Sequence, residues 1–235
     1  MPTVLIADKT DALAKQILEA AGITVITETG LKEDQLAERA KTVDGIIVRS
    51  ESTITRKILQ SGAGKLKIVG RAGVGVDNID LDAATEVGII VENTPFGNIT
   101  SAAEHALALM MSLSRKIPSA SEKMKAGVWA KKENTGVEMD GKTLGVVGLG
   151  KVGAIVARVA QALHMKVIVF DPFLTDKRAA ELNVEKTELD PLLAKSDFIT
   201  LHTPLTDKTR NMIDKSAFDK MKKGARLINA ARGRS

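Results

Sequence analysis

The sequence contains no cysteine and no tyrosine, and it has one tryptophan and three histidines. Without cysteine there is no disulfide framework, no thiol nucleophile and no cysteine-ligated metal, so no metal site is expected. Aromatic residues make up only 3 % of the chain, too few for a base-stacking surface. The 34 basic and 29 acidic residues are scattered rather than clustered, so the net charge of +5 does not point to nucleic acid. It fits a local site for a small anionic substrate. No apolar run reaches membrane-spanning length, and Met1-Pro2-Thr3-Val4 lacks a basic region followed by a long apolar stretch. No membrane partner is expected, and a reducing cytoplasm fits.

What is present is an interior of Val, Ile, Leu, Ala and Met. Apolar residues are 44 % of a 235-residue chain, enough for one large or two modest domains. This is the palette of buried parallel strands and their covering helices. The strongest local signal is Gly148-Leu149-Gly150-Lys151-Val152-Gly153, between an apolar run at 143–147 and a helical pattern at 152–163. Such a loop puts its first glycine in a tight turn, its second where a diphosphate approaches the backbone, and its third against the strand. The following helix N-terminus supplies free N–H groups for the anion. About twenty residues on, Lys166-Val167-Ile168-Val169-Phe170 ends in Asp171, where an acid bonds a ribose 2′-hydroxyl. The pattern predicts a dinucleotide site that favours NAD and repels the extra phosphate of NADP.

From Thr3 to Val91 apolar runs at 4–7, 25–27, 45–48, 67–70 and 89–91 alternate with helical spacing at 13–21, 32–40, 55–61 and 82–86. That alternation predicts a parallel α/β domain, in which ligands collect past the carboxyl ends of strands. Those positions hold Asp8, Arg49-Ser50, Arg71-Ala72-Gly73-Val74-Gly75 and Asn93-Thr94-Pro95. Two arginines beside a second glycine loop read as an anion site built from Arg49, Ser50, Arg71, Gly73, Val74 and Gly75. Phe96-Gly97-Asn98 reads as a crossing into a second domain. Ser101-Ala102-Ala103-Glu104 has capping-box spacing and predicts a helix over 102–115 that is apolar nearly all round and so buried on most sides. His105 on it reads as a core or interface residue, and Trp129 as a packing anchor. A second α/β series then runs from 143 to 229, with His202-Thr203-Pro204 and Ala230-Ala231-Arg232-Gly233 past strand ends.

Arg71 to Asn78, Asn93 to Pro95, Ser101 to Glu104, the glycine loop, His202 to Thr206 and Ala231 to Gly233 together resemble the D-isomer-specific 2-hydroxyacid dehydrogenases, in order and spacing and over the whole chain. The resemblance implies two three-layer αβα domains with parallel sheets: a flavodoxin-like substrate lobe over 1–97 and a Rossmann NAD-binding lobe over 98–235, incomplete at its C-terminus. It implies that Gly148, Gly150, Lys151, Val152, Gly153, Asp171, His202, Thr203, Pro204, Ala230 and Ala231 contact NAD, with Val74 near the nicotinamide end. Arg232 matches the arginine that grips the substrate carboxylate and polarises its carbonyl. The substrate would be a phosphorylated hydroxy acid, and the partner a second copy of the chain, through the 98–140 region.

His202 matches a cofactor-lining histidine, not the acid–base one. By resemblance the acid–base histidine and its glutamate lie beyond Ser235, and Arg234-Ser235 departs from the family's continuation, so the chain is expected to be truncated and to lack turnover. Two readings from different classes follow: a dehydrogenase, for the phosphorylated acid or for sisters such as glycerate, hydroxypyruvate, glyoxylate or lactate, and an NAD-sensing binding protein like the transcriptional corepressors that resemble the same family.

Overall fold

The computed structural model describes residues 1–231. The chain divides into two compact units, Met1–Asn98 and Ile99–Ser235.

In the first unit, short runs rich in Val and Ile form β1 (Thr3–Ile6), β2 (Thr24–Thr27), β3 (Gly45–Val48), β4 (Ile68–Arg71) and β5 (Ile90–Asn93). They pair in parallel in the order β2-β1-β3-β4-β5. The helices between them are α1 (Ala12–Ala20), α2 (Glu33–Ala40), α3 (Arg56–Gly62) and α4 (Leu81–Glu86). Asp11 and Asp80 start α1 and α4 by accepting from the backbone N–H groups of Leu13 and Ala83, which satisfies donors that a helix start leaves open. The order reverses direction at β1. Right-handed crossovers therefore put α1 on one face of the sheet and α2, α3 and α4 on the other. The buried side chains agree: Leu36, Ala37, Ile58, Leu59, Ala83 and Ala84 close on Leu5, Ile46, Val48 and Val69. Helix α1 buries no residue, and its Leu13 and Ile17 are 56 % and 59 % exposed.

The second unit opens with α5 (Ile99–Ser114) and α6 (Ile117–Lys125). Its sheet comprises β6 (Thr143–Val147), β7 (Lys166–Phe170), β8 (Glu185–Lys186), β9 (Phe198–Leu201) and β10 (Arg226–Asn229), parallel in the order β10-β9-β6-β7-β8. Counted within the unit this is the order 3-2-1-4-5 of a dinucleotide-binding sheet. Alternate residues of the strands serve opposite faces. Leu144, Val146, Val167, Val169 and Phe198 pack under α5, α7 (Lys151–Ala162) and α8 (Asp176–Glu181). Val147, Ile168, Ile199 and Leu201 pack under α9 (Leu189–Lys195) and α10 (Lys215–Lys220).

Both units fasten their first strand to its neighbour with the same device. The Asp44 carboxylate accepts from the N–H of Thr3 at 2.8 Å and pairs with Lys65 at 2.9 Å. Asp197 accepts from Thr143 at 2.9 Å and pairs with Lys222 at 3.1 Å. Burial raises the Asp197 pKa, but the Thr143 N–H and the Lys222 ammonium outweigh it and hold the carboxyl below its usual range.

Three local expectations are corrected. Helix α5 starts at Ile99, directly out of the turn at Pro95–Asn98, so Ser101 lies inside its first turn and cannot be its N-cap. Within this chain the helix is buried along one stripe, Ala103, Ala106, Met110 and Ser114. His105 is accordingly exposed rather than part of the core. Trp129, expected to anchor packing, is 78 % exposed in the segment after α6.

Candidate functional site

The carboxyl edge of the second sheet carries the glycine loop. Gly148, the first residue past β6, has φ +90°, a left-handed conformation suited to glycine. A Cβ there would lie 2.9 Å from the His202 carbonyl oxygen and 3.1 Å from the Thr203 methyl. A Cβ on Gly153, one turn into α7, would run into the Gly148 carbonyl. Gly150 is the opposite case. It is the N-cap of α7, and nothing lies within 4 Å of where its Cβ would stand. Two glycines thus let strand, loop and helix close on each other, and the third leaves open space over the first turn of a 12-residue helix. That shape suits a diphosphate: a helix N-terminus turns backbone N–H groups and a partial positive charge towards an anion, and the space at Gly150 is open. Lys151 is exposed and Val152 half-buried on that turn.

Asp171 adjoins the loop. Its Oδ2 accepts from the N–H of Leu149 at 2.7 Å and its Oδ1 from the N–H of Phe173 at 2.8 Å. The carboxylate fixes the loop and keeps further lone pairs for a ligand hydroxyl. Phe173 is 92 % exposed beside it. On the loop's other flank the N–H of His202 donates to the Val147 carbonyl at 2.8 Å. The His202 ring is largely buried, its Nε2 lies 2.9 Å from Thr200 Oγ1, and burial pushes its pKa down to about 4. It is a neutral lining group at pH 7. Because β9 and β10 run in register, with Leu201 opposite Asn229, Ala230 and Ala231 continue the same edge as His202, Thr203 and Pro204. Arg232 lies outside the described residues.

The carboxyl edge of the first sheet holds the two arginines. The Asp8 carboxylate, just past β1 and 1 % exposed, accepts from the N–H of Arg49 at 2.6 Å, from the N–H of Ser52 at 3.1 Å and from the Ser52 hydroxyl. Burial opposes its charge, but these three bonds outweigh burial and hold its pKa below the usual carboxylate range. Asn78 donates from Nδ2 to the carbonyls of Arg49 at 2.8 Å and Ser52 at 2.6 Å. Arg71 ends β4 with its guanidinium against Gly73, where a Cβ would overlap it, and its Nε is buried with no hydrogen-bond partner among the described residues. The N–H of Thr94 donates to the Gly73 carbonyl at 3.0 Å, and Asn93 Nδ2 donates to the Val74 carbonyl, so β5 braces the loop at 73–75. Val74 is 38 % exposed at its tip. The structure thus brings Arg49, Ser50, Arg71 and the loop at 73–75 to one edge of the first unit.

Away from these edges, α5, α6 and the following segment present exposed Leu109, Leu113, Ile117, Met124, Val128 and Trp129. A cavity of about 450 Å³ opens between α5, α6 and β10, lined by Leu109, Leu113, Pro118 and Leu227 among others.

Residues 107–235 match the family described as D-isomer specific 2-hydroxyacid dehydrogenase, NAD binding domain. The chain is 47 % identical over 233 residues to a D-3-phosphoglycerate dehydrogenase of Synechocystis sp., covering 99 % of this chain and 42 % of that protein. It is 45 % identical to a D-3-phosphoglycerate dehydrogenase of Archaeoglobus fulgidus, covering 98 % and 44 %. Among solved structures, a D-lactate dehydrogenase of Aquifex aeolicus complexed with NAD and lactic acid superposes with a TM-score of 0.89 at 30 % identity, covering 98 % of this chain and 69 % of that one. The chain spans less than half the length of these curated relatives. With the family model matched over more than half its residues, on the very unit that carries the glycine cradle, the chain belongs to the D-isomer-specific 2-hydroxyacid dehydrogenases.

Proposed function

We propose that the protein oxidises D-3-phosphoglycerate to 3-phosphohydroxypyruvate with NAD, the entry step of serine synthesis. The observation that carries the reading is the cradle of Gly148, Gly150 and Gly153, closed where strand and helix meet and open where a diphosphate would sit. It stands in a chain 47 % identical to a phosphoglycerate dehydrogenase. NAD, when bound, supplies the hydride acceptor. The chain's own groups bind and orient. The first turn of α7, with Lys151 and Val152, holds the diphosphate, and Asp171 accepts from the ribose and excludes a 2′-phosphate. His202, Thr203, Pro204, Ala230 and Ala231 line the same pocket. Arg49 and Arg71, with Ser50 and the amides of Gly73, Val74 and Gly75, take the substrate's anionic groups. Arg232 grips the carboxylate, a bidentate role that a guanidinium suits.

Two copies pair through the 98–140 region, which would cover the exposed Leu113, Ile117 and Trp129. Formation of NADH by the full-length protein tests the activity. D-3-phosphoglycerate should be used with a kcat/KM well above that for D-glycerate, D-lactate or glycolate, and equal use of the unphosphorylated acids would refute the substrate assignment. NAD binding without turnover of any acid would favour the sensor reading instead.

A further inference from the structure

The tetrapeptide Arg49-Ser50-Glu51-Ser52 lies in no strand or helix, yet it is held at both ends. Its fastenings come from two side chains and fall mainly on backbone. Asp8 takes the N–H groups of Arg49 and Ser52 and the Ser52 hydroxyl. Asn78 takes the carbonyls of Arg49 and Ser52. Arg49 is thereby held on both sides of its Cα, and its Nη1 donates to the carbonyl of Lys9, the residue after Asp8, at 3.3 Å. The next turn of chain is strapped too: Ile54 donates to the Asn78 carbonyl at 2.8 Å, and Asp80 donates back to Ile54 at 2.9 Å.

A carboxylate 1 % exposed is costly to bury, and packing alone is served as well by an apolar side chain of the same volume. All three hydrogen bonds that Asp8 accepts come from this loop. What such an arrangement provides is a fixed backbone from which one exposed arginine projects, its guanidinium steadied by the Lys9 carbonyl, and an arginine so placed loses less freedom when it binds an anion.

We propose that Asp8 and Asn78 are positioning residues for substrate binding: they hold Arg49 in the orientation in which it receives the substrate's anionic group. This rests on the reading of Arg49 given under Proposed function. Neither residue touches the substrate, and since their bonds fix the backbone of the loop that carries Arg49, the larger part of their effect passes through Arg49. The same geometry predicts that Ser52→Ala, which removes one of Asp8's bonds and leaves both backbone ones, has a smaller effect than Asp8→Asn.

The test is a double-mutant comparison in the full-length protein, read by steady-state kinetics. Asp8→Asn and Asn78→Asp should each raise KM for D-3-phosphoglycerate by about tenfold, the scale of one charge-assisted hydrogen bond, with KM for NAD unchanged. In an Arg49→Ala background each should raise KM by a much smaller factor. Equal factors in both backgrounds would overturn the proposal, since a merely structural role would not depend on Arg49. So would unchanged KM in the single variants while Arg49→Ala raises it. An unchanged KM in Arg49→Ala alone would instead sink the reading of Arg49, a distinguishable failure. If Asp8→Asn does not fold, Asn78→Asp and Ser52→Ala carry the comparison.

Discussion

The Asp171 carboxylate accepts the Leu149 N–H at 2.7 Å, across the two strands whose ends make the cofactor loop. One side chain therefore both shapes the cradle and presents charge to whatever occupies it. Asp171→Ala should lower NAD affinity by about tenfold or more and narrow the difference between NAD and NADP. Calorimetric titrations of both cofactors against both proteins check this. An unchanged NAD/NADP ratio would remove Asp171 from the ribose site.

Gly153→Ala isolates the packing role of the loop. Its methyl meets the Gly148 carbonyl, which is backbone and cannot swing aside. Overpacking of this kind costs about 1–3 kcal/mol. The variant should unfold at lower denaturant and bind NAD weakly, whereas Gly150→Ala, with open space at its Cβ and only the N-cap preference against it, should lose much less stability while losing affinity. Equal stability losses in the two variants would contradict the division of roles.

His202 gives a stability signature with pH. Its folded pKa of about 4 lies below the ordinary 6.5 because burial disfavours the imidazolium. Between those values the unfolded chain binds more protons than the folded one, so acid favours unfolding. Stability from this group is complete above pH 6.5, falls as the pH drops towards 4, and changes no further below that. A shift of this size corresponds to about 3 kcal/mol. Denaturant melts between pH 7 and pH 4 should lose most of this increment in the wild type and much less of it in His202→Gln. Parallel curves would contradict the assignment.

The 235-residue chain should bind NAD without oxidising substrate. Its three histidines do not suit proton transfer at the carboxyl edge of the second sheet: His202, its pKa pushed down to about 4 by burial, is a weak base and lies against Thr200 Oγ1, His164 pairs with Asp140 just before the amino end of β7, and His105 lies on α5. General acid–base catalysis is worth about 10²- to 10⁴-fold. NADH formation from D-3-phosphoglycerate clearly above a no-enzyme control would refute this.

Pairing of two copies is tested by sedimentation. Leu113→Asp with Trp129→Asp puts two charges into the apolar face of α5 and the segment after α6, so it should convert a dimer of the full-length protein to monomers. A wild-type monomer, or a variant that remains dimeric, would contradict pairing through this region.

Much of this was legible in the residues because backbone conformation and apolar period are local properties. The strands at 45–48 and 143–147 and the glycine loop follow from their own side chains. The start of α5 was not legible. Ser101 and Glu104 offer a capping box, but the turn at Pro95–Asn98 already winds the chain into the helix. Trp129 and the outer stripe of α5 misled for another reason: an apolar residue signals that something covers it, not whether the cover is its own chain. The Asp8–Asn78 clamp could not be read at all, since its bonded members are 26 to 44 positions apart and meet only once β1, β3 and β4 pair side by side.

The most direct test is a calorimetric titration of the 235-residue chain with NAD and, separately, with NADP. The account predicts one NAD per chain, bound at least about tenfold more tightly than NADP, because Asp171 repels the added phosphate. No NAD binding, or equal affinity for the two cofactors, would contradict it.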